Sequence, residues 1–139
     1  NWCVDNKAGR CVIDNDCINE AISKMVESDG VIIGSPTYFA ALTTETKALI
    51  DRAGRICRSQ KLMVRKPGVA VVPARRAGFL NVFQAINNFY LIQEMIVPGS
   101  NYWNTGLGKA PGDFEADTEG VATMRTLGEN LAWLIEKLN

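Results

Sequence analysis

Two short stretches hold the residue types that could do chemistry in a chain of 139 residues with no histidine. One is Ser35, Pro36, Thr37, Tyr38 and Phe39, directly after Gly34; the other is Ala74, Arg75, Arg76, Ala77 and Gly78. Without imidazole there is no His-based triad, no HExxH-type zinc site and no imidazole acid or base, so an enzymatic reading rests on a bound organic cofactor. The first stretch offers aromatic surface and a few fixed donors, which is what a flat apolar ring with a polar rim requires. The second offers two cations at the start of a predicted helix, where side-chain charge and helix dipole both favour an anion. Gly78 would let the backbone approach a ligand with no Cβ in the way. Each also has a plainer reading: Gly34 to Pro36 as a strand-ending turn, Tyr38 and Phe39 as core aromatics, Arg75 and Arg76 as a solvated pair.

The elements that must position these stretches follow from hydrophobic periodicity. Asp14 or Asn15 can cap a helix with Cys17 or Ile18, Ala21, Ile22, Met25 and Val26 on one face, stopped by Gly30. Val31, Ile32 and Ile33 form a short buried strand. After the Tyr38 loop, a helix capped by Thr43 or Thr44 turns Leu42, Leu49, Ile50, Ala53 and Ile56 inward. Val69 to Val72 has the continuous apolarity of a strand covered on both faces. The next helix carries Phe79, Leu80, Val82, Phe83, Ile86, Phe89 and Tyr90, and Met95 to Val97 reads as a third strand with a long exit loop, Pro98 to Phe114. A final helix, Asp117 to Leu138, presents Val121, Met124, Leu127, Leu131, Leu134 and Leu138. Strands alternating with helices predict an α/β fold with a doubly wound parallel sheet, three strands of it visible. In such sheets ligands sit where loops leave the carboxyl ends of the strands.

Composition narrows the function classes. Hydrophobic residues make up 47% of the chain, enough for a core, and residues 1–139 read as a single domain. Fifteen basic residues balance fifteen acidic ones without a run of either sign, so no nucleic-acid or anionic-membrane partner is expected. No apolar run approaches the roughly 20 residues of a membrane span, and four scattered cysteines do not make a disulfide scaffold; a cytoplasmic setting is expected.

The segments GSPTYFAALTTETKALIDR and PARRAG, with the tail elements PGSNYW, PGD, EG and LGENLAWL, resemble the flavodoxin-like NAD(P)H-dependent FMN reductases and their iron-sulfur flavoprotein relatives. The resemblance spans nearly the whole chain. Its most specific part is G-S-P-x-Y-F followed by K-x-x-x-D-R. It implies a flavodoxin-like fold binding FMN. Ser35, Pro36, Thr37, Tyr38 and Phe39 would run along the isoalloxazine, and Ala74, Arg75, Arg76, Ala77 and Gly78 would approach its other side, with one of the two arginines facing the ring. It further implies reduction by NAD(P)H, a small-molecule acceptor such as a quinone, a free flavin or a metal ion, and a homodimer or homotetramer. The alternatives are a flavodoxin-like or iron-sulfur-linked electron carrier, or a truncated domain that binds no flavin.

The chain departs from the family pattern at its start. The strand and phosphate-gripping loop of the type G-S-x-R-x-x-S/G-N, with the helix and strand that follow, are not in these residues, which predicts an open apolar edge beside Val31 and either a longer natural polypeptide, the simpler reading, or an edge covered by another chain or a rearranged dimer. Cys3 and Cys11 have a spacing similar to the last two ligands of an iron-sulfur run. A four-iron cluster normally takes four thiolates, so no cluster is expected from these residues alone. Cys17 and Cys57 read as small core residues. Lys47, Asp51 and Arg52 read as helix-face ion pairs or subunit contacts, and Asn101, Tyr102, Trp103 and Asn104 as either a pocket or subunit wall or a packed surface loop.

Overall fold

The computed structural model describes residues 9–139. Helix α1 (Ile18–Glu27) turns Ile22 and Met25 inward. Its first turn is anchored by Asp16, whose Oδ1 accepts from Ile18 N at 3.0 Å, in place of the expected Asp14 or Asn15. At its other end Lys66 Nζ donates to the carbonyls of Val26 and Ser28, where an ammonium answers the unpaired carbonyls of a helix terminus. Strand β1 (Val31–Gly34) leads to α2 (Thr44–Gln60), capped by the Thr43 hydroxyl, which accepts from Thr46 N at 3.2 Å. This helix runs well past Arg52 and closes on Lys61 in the left-handed region.

Strand β2 (Gly68–Ala74) is the centre of the sheet, paired in parallel with β1 on one side and with β3 (Thr105–Leu107) on the other. Its side chains alternate between two cores. Ala70 and Val72 pack with Val31, Ile33 and the helices α1, α2 and α3 (Phe79–Ile92), while Val69 and Val71 pack under α5 (Thr118–Leu138). Burying each such valine contributes about 1.5–3 kcal/mol. Helices on both faces of a parallel sheet are the doubly wound arrangement that the alternation of elements predicts.

The third strand is elsewhere than expected. Met95 to Val97 contributes one parallel bridge, Ile96 opposite Pro67, and the ladder resumes at Thr105–Leu107 inside the stretch read as an exit loop. Residues 98–104 are an excursion between two segments that both register on β2. Thr105, Gly106 and Leu107 have too little apolar pattern to show as a strand, and their pairing is imposed by the edge they meet. The last helix keeps Leu127 and Leu131 of the expected stripe in the core with Met124 packed against them, buries Gly120 and Thr123 beside them, and leaves Leu138 exposed. Cys17 is exposed rather than core, and Cys57 is fully buried, which pushes its thiol up to about 11. A short turn of helix, α4 (Asp113–Ala116), precedes α5.

One side chain ties the sheet to the helix layer. Tyr90 of α3 is fully buried, and its hydroxyl accepts from Ile33 N at 3.0 Å and donates to Val69 O at 2.9 Å, touching β1 and β2 at once. Burial holds its pKa well above the ordinary phenol value. At the far edge, Asp117 accepts from Leu107 N at 2.7 Å and from Gly120 N at 3.0 Å, joining β3 to the start of α5.

Tyr90→Phe should keep the ring packing and lose both hydrogen bonds, lowering unfolding free energy by about 1–2 kcal/mol in urea titration. The two backbone N–H bonds depress the Asp117 pKa, Leu107 first and Gly120 second. Its folded pKa therefore lies below the unfolded one, so its stabilisation is present above about pH 4 and fades as pH falls through the folded value. Asp117→Asn should flatten that acid limb of the stability curve, measured by urea midpoints between neutral and acid pH.

Candidate functional site

β1 and β2 run in parallel register, Val31 opposite Gly68 through Gly34 opposite Val71, so their exit loops leave at one end of the sheet. The loop after β1 is bound to the end of β2. Ser35 N donates to Val71 O at 3.3 Å, and both the N–H and the hydroxyl of Thr37 reach Pro73 O, at 3.2 and 3.3 Å. Ser35 is fully buried; its hydroxyl accepts from Thr43 N at 3.1 Å and donates to Pro36 O, so it orients the start of α2 and does not face outward. Pro36 and Thr37 are half-buried.

At the tip, Tyr38 and Ala41 exchange two backbone hydrogen bonds, 3.2 and 3.0 Å, around Phe39 and Ala40. Both enclosed residues have positive φ, 51° and 57°. A two-residue turn with that backbone favours Asn-Gly, and side chains there cost about 1 kcal/mol each. The strain presents Phe39 wholly to solvent, with Tyr38 62% exposed beside it. Neither is the core aromatic of the plainer reading.

The loop after β2 meets this turn. Ala74 is buried and its carbonyl accepts from Gly108 N at 3.0 Å, while Arg75, Arg76 and Ala77 are exposed. Gly78 sits at φ 86°, and a Cβ there would stand 2.9 Å from Ala40 Cβ, so the two loops lie too close for a side chain at this position. No side chain caps α3 at Gly78. The first-turn amides of α3, the two guanidinium groups and the two exposed rings thus share one end of the sheet, which makes a surface suited to a planar anion. Among the described residues neither Arg75 nor Arg76 forms an ion pair. Ala40, whose methyl meets Gly78, went unremarked in the sequence because nothing local marks a positive φ at alanine.

The 98–104 excursion forms a second concavity of about 410 Å³, lined by Phe83, Val97, Pro98, Tyr102 and Trp103. Tyr102 and Trp103 stack edge to face at 4.9 Å. Asn104 is buried and accepts from Ser100 Oγ at 2.7 Å, which fixes the excursion from within.

Of the cysteines singled out by spacing, Cys3 lies outside the described residues. Cys11 is buried, with Arg52 Nε donating to its sulfur at 3.2 Å while the same guanidinium pairs with Asp16 and donates to Ile13 O. Arg52 is therefore an anchor for the N-terminal loop. Among the described residues no three His, Cys, Asp or Glu side chains gather closely enough to share a metal ion. Among the described residues no helix is long and apolar enough to cross a membrane.

A three-stranded parallel sheet wrapped by helices on both faces, with two strand-exit loops joined at its carboxyl end, defines a flavodoxin-like α/β protein. Solved structures agree on the fold. The Trp repressor binding protein from Bacillus subtilis matches with a TM-score of 0.64 at 19% identity, covering 82% of this chain and 73% of that one. The flavodoxin, WrbA-like protein from Agrobacterium tumefaciens matches with a TM-score of 0.61 at 16% identity, covering 80% and 73%. The chain belongs to the NADPH-dependent FMN reductase family, whose model matches residues 3–110. Membership places it among flavin-dependent oxidoreductases. An iron-sulfur flavoprotein of Methanocaldococcus jannaschii is 40% identical over 134 residues, 92% of this chain and 69% of that protein; one of Methanosarcina thermophila is 33% identical over 128 residues, 91% and 65%. The chain thus spans about two thirds of the length of these relatives.

Replacing Phe39 by Asn together with Ala40 by Gly should relieve the turn and raise unfolding free energy by about 1–2 kcal/mol, read from urea midpoints.

Proposed function

We propose that the joined loops after β1 and β2 hold the ring of FMN, and that the protein takes electrons from NAD(P)H and passes them to a small acceptor such as a quinone, a free flavin or a metal ion. The observation that carries this reading is the contact of Gly78 with Ala40, which brings the Tyr38 and Phe39 rings to the same edge as Arg75 and Arg76. Tyr38 and Phe39 would give the ring its apolar surface. Pro36 and Thr37 would set the height of that surface above the sheet through the Pro73 carbonyl. Arg75, Arg76 and the uncapped N-terminus of α3 would stabilise negative charge on the ring's polar rim. Ser35 and Ala74 act beneath, holding the loops in place. Flavin, when bound, supplies the hydride and one-electron chemistry, so no side chain need serve as acid or base. Family membership and the named relatives support the flavin; NAD(P)H as donor is the reading that the family's description favours.

The test is a fluorescence titration of FMN with the purified protein, followed by anaerobic addition of NADPH. Quenching at stoichiometric protein and bleaching of the flavin bands without a partner protein are expected, and reversing both arginines, Arg75→Glu with Arg76→Glu, should weaken FMN by about tenfold or more. A protein that quenches FMN but is not bleached would be an electron carrier instead. No quenching at all would remove the flavin reading.

A further inference from the structure

We propose that the concavity formed by the 98–104 excursion is a binding site for a neutral aromatic molecule of one or two rings. The proposal does not depend on the flavin reading. The excursion is surplus to the sheet. From Pro67 to Val72 the central strand advances five residues, while the edge segment advances nine between the positions opposite them, Ile96 and Thr105. Four residues are therefore not needed to continue the ladder, and the chain they lengthen stands out beside Phe83 of α3.

This surplus is held in one shape. At its start Asn130 Nδ2 of α5 donates to Gly99 O at 2.8 Å, and at its end Asn104 O accepts from Val72 N at 3.0 Å. Within it the Ser100 hydroxyl donates to Asn104 Oδ1 and accepts from Tyr102 N at 3.3 Å. A concavity shaped in advance loses little ordering entropy when it takes a ligand. Yet the two largest side chains of this fixed loop are not packed away: Tyr102 and Trp103 are 53% and 47% exposed. A loop fixed for packing alone would turn such rings inward, whereas here they remain as free stacking surface.

The lining selects the ligand. It consists of Phe83 and residues 97–104, and none of these side chains is charged. An ion would give up hydration there with no counter-charge in return, so the occupant is neutral. Phe83, Tyr102 and Trp103 supply ring surface, and the Asn101 amide and Tyr102 hydroxyl supply donors and acceptors for an oxygen or nitrogen carried on a ring. The volume, about 410 Å³, falls at the small end of the roughly 300–1,000 Å³ of small-molecule sites. A protein partner fits less well, because each side of a protein interface takes roughly 20–30 residues. One short loop and a single helix side chain offer far fewer.

Isothermal titration calorimetry on the purified protein tests this with 2-naphthol, uncharged near neutral pH, and with 2-naphthoate, an anion of similar shape. A single 2-naphthol should bind per chain, and 2-naphthoate should bind more weakly by on the order of tenfold or more for want of a counter-charge. Trp103→Ala and Tyr102→Ala, both at exposed positions, should each weaken 2-naphthol by on the order of tenfold. Trp133→Ala, which removes an exposed ring from α5, should leave it unchanged, and so should saturating FMN. Urea midpoints matching the wild type confirm that each variant is folded. No binding of 2-naphthol, equal binding of the anion, indifference to both Trp103→Ala and Tyr102→Ala, or displacement by FMN would each overturn the proposal. Sedimentation velocity at the same concentrations adds a further check: self-association that Trp103→Ala abolishes would mean that another chain covers the rings, and would overturn it equally.

Discussion

The parallel register of β1 on β2 is the constraint from which the rest of the structure proceeds. Parallel strands send their exit loops to the same end, so Tyr38 and Arg75, 37 residues apart in sequence, come to one end of the sheet. Tyr90 reinforces this pairing from the helix layer, and Thr37 reinforces it at the open end by donating twice to Pro73 O. The site is therefore made by loops at the carboxyl end of the sheet. Its side chains stand on backbone that the ladder has already fixed.

That rigidity explains how a strained turn persists. Phe39 and Ala40 occupy backbone conformations that L side chains avoid, and they stay there because Tyr38 and Ala41 close the turn while Gly78 fills the space behind. Strain in an exposed aromatic at a sheet terminus contributes nothing to packing. Ser35, by contrast, is buried: its hydroxyl is used twice inside the protein, once on the amide of the α2 cap.

The two faces of the sheet are finished unequally. The face toward α1, α2 and α3 is closed over β1 and β2 alike, whereas α5 lies over Val69 and Val71 of β2 and leaves Ile32 of β1 61% exposed. The free edge of β1 pairs with no strand among the described residues.

The order of helices and strands was legible in the amino acids because amphipathic periodicity is local: Ile22 and Met25, Ala53 and Ile56, Val82 and Ile86 each mark an inward face within a few residues of chain. The cap at Thr43 or Thr44 was legible for the same reason, since a cap leaves its mark in one residue; Gly78 was read for close approach to a ligand, and the structure sets it close to Ala40. The G-S-P-x-Y-F motif pointed to the family. Folding decided what depends on distant partners. It placed the third strand at Thr105–Leu107 instead of Met95 to Val97, because an edge strand takes its register from β2 and not from its own composition. It turned Tyr38 and Phe39 out to solvent, drew Ser35 in, left Leu138 outside at the end of α5, and brought Ala40 against Gly78. Each of these outcomes is a contact between segments that no short window of sequence contains, and only the assembled sheet brings them within reach.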